Sequence, residues 1–324
     1  MNLILQIIGG ISGIVLLYYG AEFLIKGGVS IALKFKVSSL VIGLTLVAFG
    51  TSAPEFVVSL QAALTNHGDI SIGNVIGSNI CNIALILGLC SIISPLKVNP
   101  SVLKFDGILM IVASCLLAFF YWLNSGVNRL EGALLFVGLL GFIAWSFYTS
   151  RKEEKTALDN SKEDANAALP NDSKIYSYFV SILFVVGGLA ALVIGANLFV
   201  NSAVYVAKIC NISDAVIGLT IVAVGTSLPE LATSLVAAIK HEEDIAIGNV
   251  IGSNIFNILG ILGVAPLISP IKTTNISWVD MGVMIGIAII LYPMMKTQHK
   301  ISRVEGGILL VCYVGYIFWL FCQK

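Results

Sequence analysis

The sequence predicts an all-α polytopic membrane protein, ten transmembrane helices built as two inverted five-helix repeats. Three observations lead there. Of 324 residues, 57% are hydrophobic and only 11% are charged, with a mean hydropathy of +0.96, whereas soluble domains carry roughly a quarter charged residues. The apolar runs are long enough to cross a bilayer, which takes about 20 residues each, and they are continuous where a transmembrane barrel would alternate. One stretch is written twice: Ser38–Gly88 aligned with Ser213–Gly263 gives 33 identities in 51 positions without a gap.

In chain order the apolar segments are 3–25, 37–64, 70–93, 105–124, 130–149, 175–203, 212–239, 245–268, 277–295 and 303–321. The first starts at Leu3 with no basic region before it and no small-residue cleavage site after it, so it reads as a retained helix and not a signal peptide. Residues 1–149 hold five segments, 175–324 hold five more, and the polar stretch 150–174 between them has the composition of a flexible linker. An odd number of spans per half sends the second half into the membrane from the opposite side, the inverted-repeat plan of many secondary transporters. The termini and the loops after even-numbered segments hold Arg129, Lys208, Lys272 and Lys324, and the opposite side holds the other fourteen Lys and Arg. The positive-inside rule therefore makes the linker cytoplasmic and puts both termini outside the cell membrane.

Most remaining polar and aromatic residues have plain structural uses. Trp122, Trp145, Trp278 and Trp319 lie near segment ends, as interfacial anchors do. Glu22 and Lys26 have the spacing of an i,i+4 ion pair. Asp106, Glu131, Asp280 and Glu305 fall at segment starts, where capping and hydration account for them, and Asp69 and Asp244 read as N-caps. The six cysteines show no zinc or disulfide spacing. A net charge of zero gives no attraction to nucleic acid, and nothing points to a resident cofactor or an obligate protein partner beyond the lipid bilayer.

Two ionisable side chains remain deep in the apolar segments, Glu55 and Glu230. An acid at that depth costs on the order of 3 kcal/mol or more and marks an ion pathway. No Lys or Arg lies deep enough to neutralise them, so either they are protonated or a cation sits between them. Thr51 and Ser52 precede Glu55 by one helical turn, as Thr226 and Ser227 precede Glu230. Pro54 and Pro229 lack the amide hydrogen that would close the helix and so free backbone carbonyls beside the acids. Asn74, Ser78 and Asn82, and their copies Asn249, Ser253 and Asn257, are spaced by four and line one helix face, whereas Asn79 and Asn254 fall off that stripe and suit bonds to neighbouring helices. The small-xxx-small pairs Gly73/Gly77 and Gly248/Gly252 allow close backbone approach. The ligand set is oxygen throughout, which suits hard cations such as Ca2+ better than transition metals or Mg2+. Two carboxylates balance one divalent or two monovalent cations, so a carrier emptied of ions would cross poorly.

The paired Gly-Thr-Ser-x-Pro-Glu and Gly-Asn-Val-Ile-Gly-Ser-Asn stretches resemble the α-repeats of the cation/calcium exchanger superfamily, in its sodium/calcium exchanger branch, and the short linker is similar to that of its prokaryotic members. The resemblance covers nearly the whole chain. It implies alternating access with Ca2+ and Na+ competing for one central cluster. Ca2+ would be held by Glu55, Glu230 and the carbonyls of Thr51 and Thr226. Na+ would add Ser52, Ser227, Ser78, Ser253 and the carbonyls of Ala48 and Ala223, with the first and sixth segments as the sliding pair. At Asn82 and Asn257 some relatives carry an acid in one repeat; two amides here argue against K+ co-transport and leave the stoichiometry open. A proton-coupled Ca2+ antiporter, in which Glu55 and Glu230 exchange protons, stays open beside Na+ coupling. A passive cation channel and an intramembrane enzyme using the two acids as a dyad are the rivals of different class.

Overall fold

Within a bilayer the backbone must satisfy its own polar groups, so long apolar sequence becomes helix. The computed structural model describes residues 3–161, 176–210, 223–273 and 276–322. Its helices are α1 (Leu3–Phe35), α2 (Ser39–Thr51), α3 (Ala53–Leu64), α4 (Gly68–Ile93), α5 (Val102–Asn124), α6 (Arg129–Ser161), α7 (Tyr178–Ile209), α8 (Leu228–Ile239), α9 (Glu243–Ile268), α10 (Trp278–His299) and α11 (Arg303–Cys322). Among the described residues, eight helices are long and apolar enough to cross a membrane, and a ninth span results if α2 and α3, bent by 50° against each other, are taken together. The seventh expected segment falls partly on 211–222, outside the described residues, and continues as the shorter apolar α8.

Helices α1 and α6 overrun their expected ends furthest. Helix α1 continues to Phe35, ten residues past the end of its apolar run. Lys26 and Lys34 interrupt the hydropathy without ending the helix. Lys26 pairs with Glu22 at 2.8 Å, as its spacing predicts, and Lys34 donates to Ser181 Oγ at 3.2 Å beside the Tyr178 ring. Helix α6 runs on to Ser161, into the stretch expected to be linker; 162–175 lie outside the described residues.

Helices α1 and α7 are zipped together by glycines seven residues apart. A Cβ at Gly13 would lie 2.7 Å from the Gly195 carbonyl oxygen, one at Gly20 would lie 2.9 Å from that of Gly188, and one at Gly27 would lie 2.9 Å from that of Ser181. Partner numbers fall as α1 numbers rise, so the two helices run antiparallel. At the centre stand α4 and α9, the spans most enclosed by protein, with α1 and α11 facing outward. Helix α9 rides directly on α2, where a Cβ at Gly248 would lie 2.8 Å from the Leu40 carbonyl oxygen and one at Gly252 would run into that of Leu44. That is the close approach the small-xxx-small spacing predicts; Gly73 and Gly77 meet no backbone in this way among the described residues.

Four two-residue strands, not foreseen from the sequence, tie the halves together. Strand β1 (Leu96–Lys97) pairs with β4 (Lys300–Ile301), and β2 (Gly126–Val127) pairs with β3 (Ile271–Lys272), both antiparallel. Helix starts follow the expectations in part. Glu131 and Glu305 close reciprocal caps with Asn128 and Ser302. Asp69 and Asp244 are not N-caps: those positions belong to His67 and Glu242, and the acids sit in the first helical turn, where the dipole still favours them. Asp106 is buried, so hydration does not account for it.

Candidate cation site

The prolines do more than kink. Ser52, at φ −80° and ψ 8°, leaves helical geometry, and Ser227 repeats it at −87° and 7°. Pro54 and Pro229 then stand within the first turn of α3 and α8, a place where their missing amide hydrogen costs nothing. Each break places a glutamate in the first turn of a new helix, at its positive dipole end. Both carboxylates are buried, at 1% exposure for Glu55 and 0% for Glu230.

The serines reach across the molecule. Ser52 Oγ donates to Glu230 Oε1 at 2.8 Å and Ser227 Oγ donates to Glu55 Oε1 at 3.0 Å. Sequence spacing puts Ser52 on the face of its own neighbour Glu55, but the helix break turns it to the acid of the other half. These reciprocal bonds merge the duplicated stretches into one cluster. Thr51 Oγ1 joins it by donating to Asn249 Oδ1 at 3.0 Å, and Ser253 Oγ approaches the Ala48 carbonyl at 3.5 Å.

The outer asparagines hold the backbone of the glutamates. Asn74 Nδ2 donates to the Glu55 carbonyl at 3.3 Å and to Ser59 Oγ at 2.9 Å, and Asn249 Nδ2 does the same to the Glu230 carbonyl and Ser234 Oγ at 3.3 and 2.9 Å. Ser59 and Ser234, each four residues after its glutamate, join the site only through these bonds. Asn79 bonds to α9 as its position off the stripe suggests, but Asn254 spends its amide on Val250 of its own helix.

What is left unsatisfied defines the chemistry. Buried atoms without a hydrogen-bond partner include Glu55 Oε2, Glu230 Oε2, Thr226 Oγ1, Asn257 Oδ1 and both terminal atoms of Asn82. Such atoms are rare in folded proteins; these fall on residues singled out as ligands, and others lie on Ser71, Ser146, Thr233 and Asn254. Ser78 lies buried one turn before Asn82, and Ala223 opens the short helix Ala223–Gly225 just before Thr226. Among the described residues no three His, Cys, Asp or Glu side chains converge. The donor set is therefore two carboxylates with neutral oxygens, which fits a hard cation. Asn82 and Asn257 both stand at the start of π-helical turns, at 81–87 and 257–261, a feature frequent at functional sites.

Comparison with known proteins agrees with this chemistry. The sodium/calcium exchanger protein family matches residues 5–148 and 180–322. The putative antiporter CaxA of Alkalimonas amylolytica is 38% identical over 314 residues, covering 95% of this chain and 96% of the relative. The sodium/calcium exchanger MaX1 of Methanosarcina acetivorans is 37% identical over 338 residues, covering 95% and 96%. A solved structure of the sodium-calcium exchanger NCX_Mj superposes with a TM-score of 0.81 at 35% identity over 98% of this chain and 100% of that one. The chain is a multi-pass membrane protein that belongs to the sodium/calcium exchanger family and is similar to its prokaryotic antiporters.

Proposed function

We propose that this protein is a secondary antiporter exchanging Ca2+ for Na+ by alternating access, with both ions as cargo at one site divided between its halves. The observation that carries the reading is the reciprocal Ser52–Glu230 and Ser227–Glu55 pairing. It anchors one oxygen of each carboxylate and leaves Oε2 of each bare in the same buried cluster. Ca2+ would take those oxygens with the carbonyls of Thr51 and Thr226. Na+ would also use Ser52, Ser227, Ser78, Ser253, the carbonyls of Ala48 and Ala223, and the amides of Asn82 and Asn257.

The wider reading is of ten spans in two inverted repeats, 1–149 and 175–324, joined by a cytoplasmic linker over 150–174, with both termini outside. The antiparallel course of α1 and α7, which begin the two halves, supports inversion. Their glycine zipper packs the proposed sliding pair backbone against backbone. Access at any moment should be open on one side only. A cavity of ≈ 410 Å³ between α3 and α7, lined by Pro54, Val57, Val193, Asn197 and Thr226, reaches the cluster. In the proposed orientation it leads outward. Where α1 meets α8 on the other face, Ala21 and Leu24 are fully buried and Lys240 closes on Glu22 at 2.7 Å.

Ca2+ uptake into proteoliposomes loaded with Na+ at fixed pH tests the coupling. Uptake driven by the outward Na+ gradient supports it. Uptake indifferent to Na+ but driven by a pH step would replace Na+ with H+, and flux without any counter-ion would indicate a channel.

A further inference from the structure

The asparagines at the crossing of α4 and α9 carry information that the ligand list does not use. An amide side chain offers a cation its oxygen or repels it with its NH2 group, so a buried asparagine serves as a ligand only if something fixes which way it faces. For Asn257 the surroundings do so. Asn79 Nδ2 donates to the backbone carbonyl of Asn254 at 3.3 Å. A carbonyl can only accept, so Asn79 must turn its NH2 toward Asn254 and leave its oxygen facing the next turn of α9. That oxygen is met by Asn257 Nδ2 at 3.0 Å, and it too can only accept. Asn257 is thereby held with its NH2 engaged and its Oδ1 buried and unpartnered. The direction is relayed from a backbone atom, whose sense cannot flip, through one amide to the next.

The other copy lacks this relay. The residue equivalent to Asn79 is Asn254, which donates to Val250 in its own helix at 3.0 Å, and neither terminal atom of Asn82 has a partner. We propose that Asn79 is a positioning residue that commits Asn257 to facing the transported cation with its oxygen, and that Asn82 is not committed in this way. The proposal rests on the cation-site reading above.

The test uses the full chain in proteoliposomes, with Ca2+ and Na+ as probes, and reads the half-saturating concentrations separately from the maximal rate. Asn79→Ala frees Asn257 to flip, and losing one hydrogen bond should raise the half-saturating cation concentration by about 3- to 10-fold while the maximal rate stays within about twofold. Asn79→Leu, which keeps the volume without the amide, should do the same if the alanine variant folds poorly. The decisive comparison repeats Asn79→Ala in an Asn257→Asp background. Both terminal atoms of aspartate are oxygens, so orientation no longer matters, and Asn79→Ala should then cause no further rise. An equal rise in both backgrounds would overturn the proposal in favour of a packing role, and no rise in either would overturn it outright. Failure of the underlying reading looks different: the wild-type chain would show no cation-driven flux, or Glu55→Gln would leave that flux intact.

Discussion

The two copies of the duplicated stretch spend the same residues differently. In both, a serine crosses to the opposite glutamate and an asparagine holds the carbonyl of its own glutamate, so the charged centre is matched. Around that centre the match ends. Thr51 Oγ1 donates to Asn249 and contacts the Val47 and Ala48 carbonyls, whereas Thr226 Oγ1 has no such partner among the described residues. Asn257 is oriented and Asn82 is not. Glu22 on α1 is paired with Lys26 and Lys240, while its counterpart on α7 is the exposed Asn197, at the edge of the open cavity. Equal chemistry at the centre with unequal packing around it fits the proposed alternating access, as one of its conformations.

The largest effects should confirm the matched centre. Glu55→Gln and Glu230→Gln each remove one of two buried charges facing a divalent cation, a loss of about 2–5 kcal/mol. Each should lower Ca2+ exchange by about 100-fold or more in vesicle flux assays, and a large difference between them would break the equivalence. Ser52→Ala and Ser227→Ala each remove a hydrogen bond to a carboxylate, for which about 1.5–3 kcal/mol is usual, and should each raise the half-saturating Ca2+ concentration about tenfold. The threonines should then separate the halves. Thr51→Val should lower stability by about 1 kcal/mol in thermal unfolding, and Thr226→Val, which removes a buried hydroxyl without a partner among the described residues, should leave it unchanged or raise it by about 1 kcal/mol. The smallest effect belongs to the ion pairs. Glu22→Gln should cost no more than about 1 kcal/mol, diminishing at high salt, because both lysines are partly exposed. Asn197→Ala, in the open half, should show no salt-dependent change.

Much of this was legible in the sequence, for reasons that can be named. Membrane class followed from composition, and the site followed from two acids that nothing could neutralise, each preceded by a proline at one residue's distance. The helix breaks at Ser52 and Ser227 are local steric consequences of those prolines, so they too could be read. The exchange of partners between Ser52 and Ser227 could not, because i,i+3 spacing describes one continuous helix and the break rotates the serine away from its neighbour. The strands at Leu96–Lys97 and Lys300–Ile301 are too short to carry a periodicity and exist only through pairing across the halves. The extension of α1 past Lys26 was hidden because lysines end an apolar run but not a helix, especially where Glu22 and Ser181 receive them.

The central claim, that two glutamates form one site and not two, is tested most directly by equilibrium Ca2+ binding to the purified chain. The account predicts one Ca2+ per chain for the wild type and none at comparable affinity for either Glu55→Gln or Glu230→Gln. Two Ca2+ per chain in the wild type, with one retained in each single variant, would contradict it.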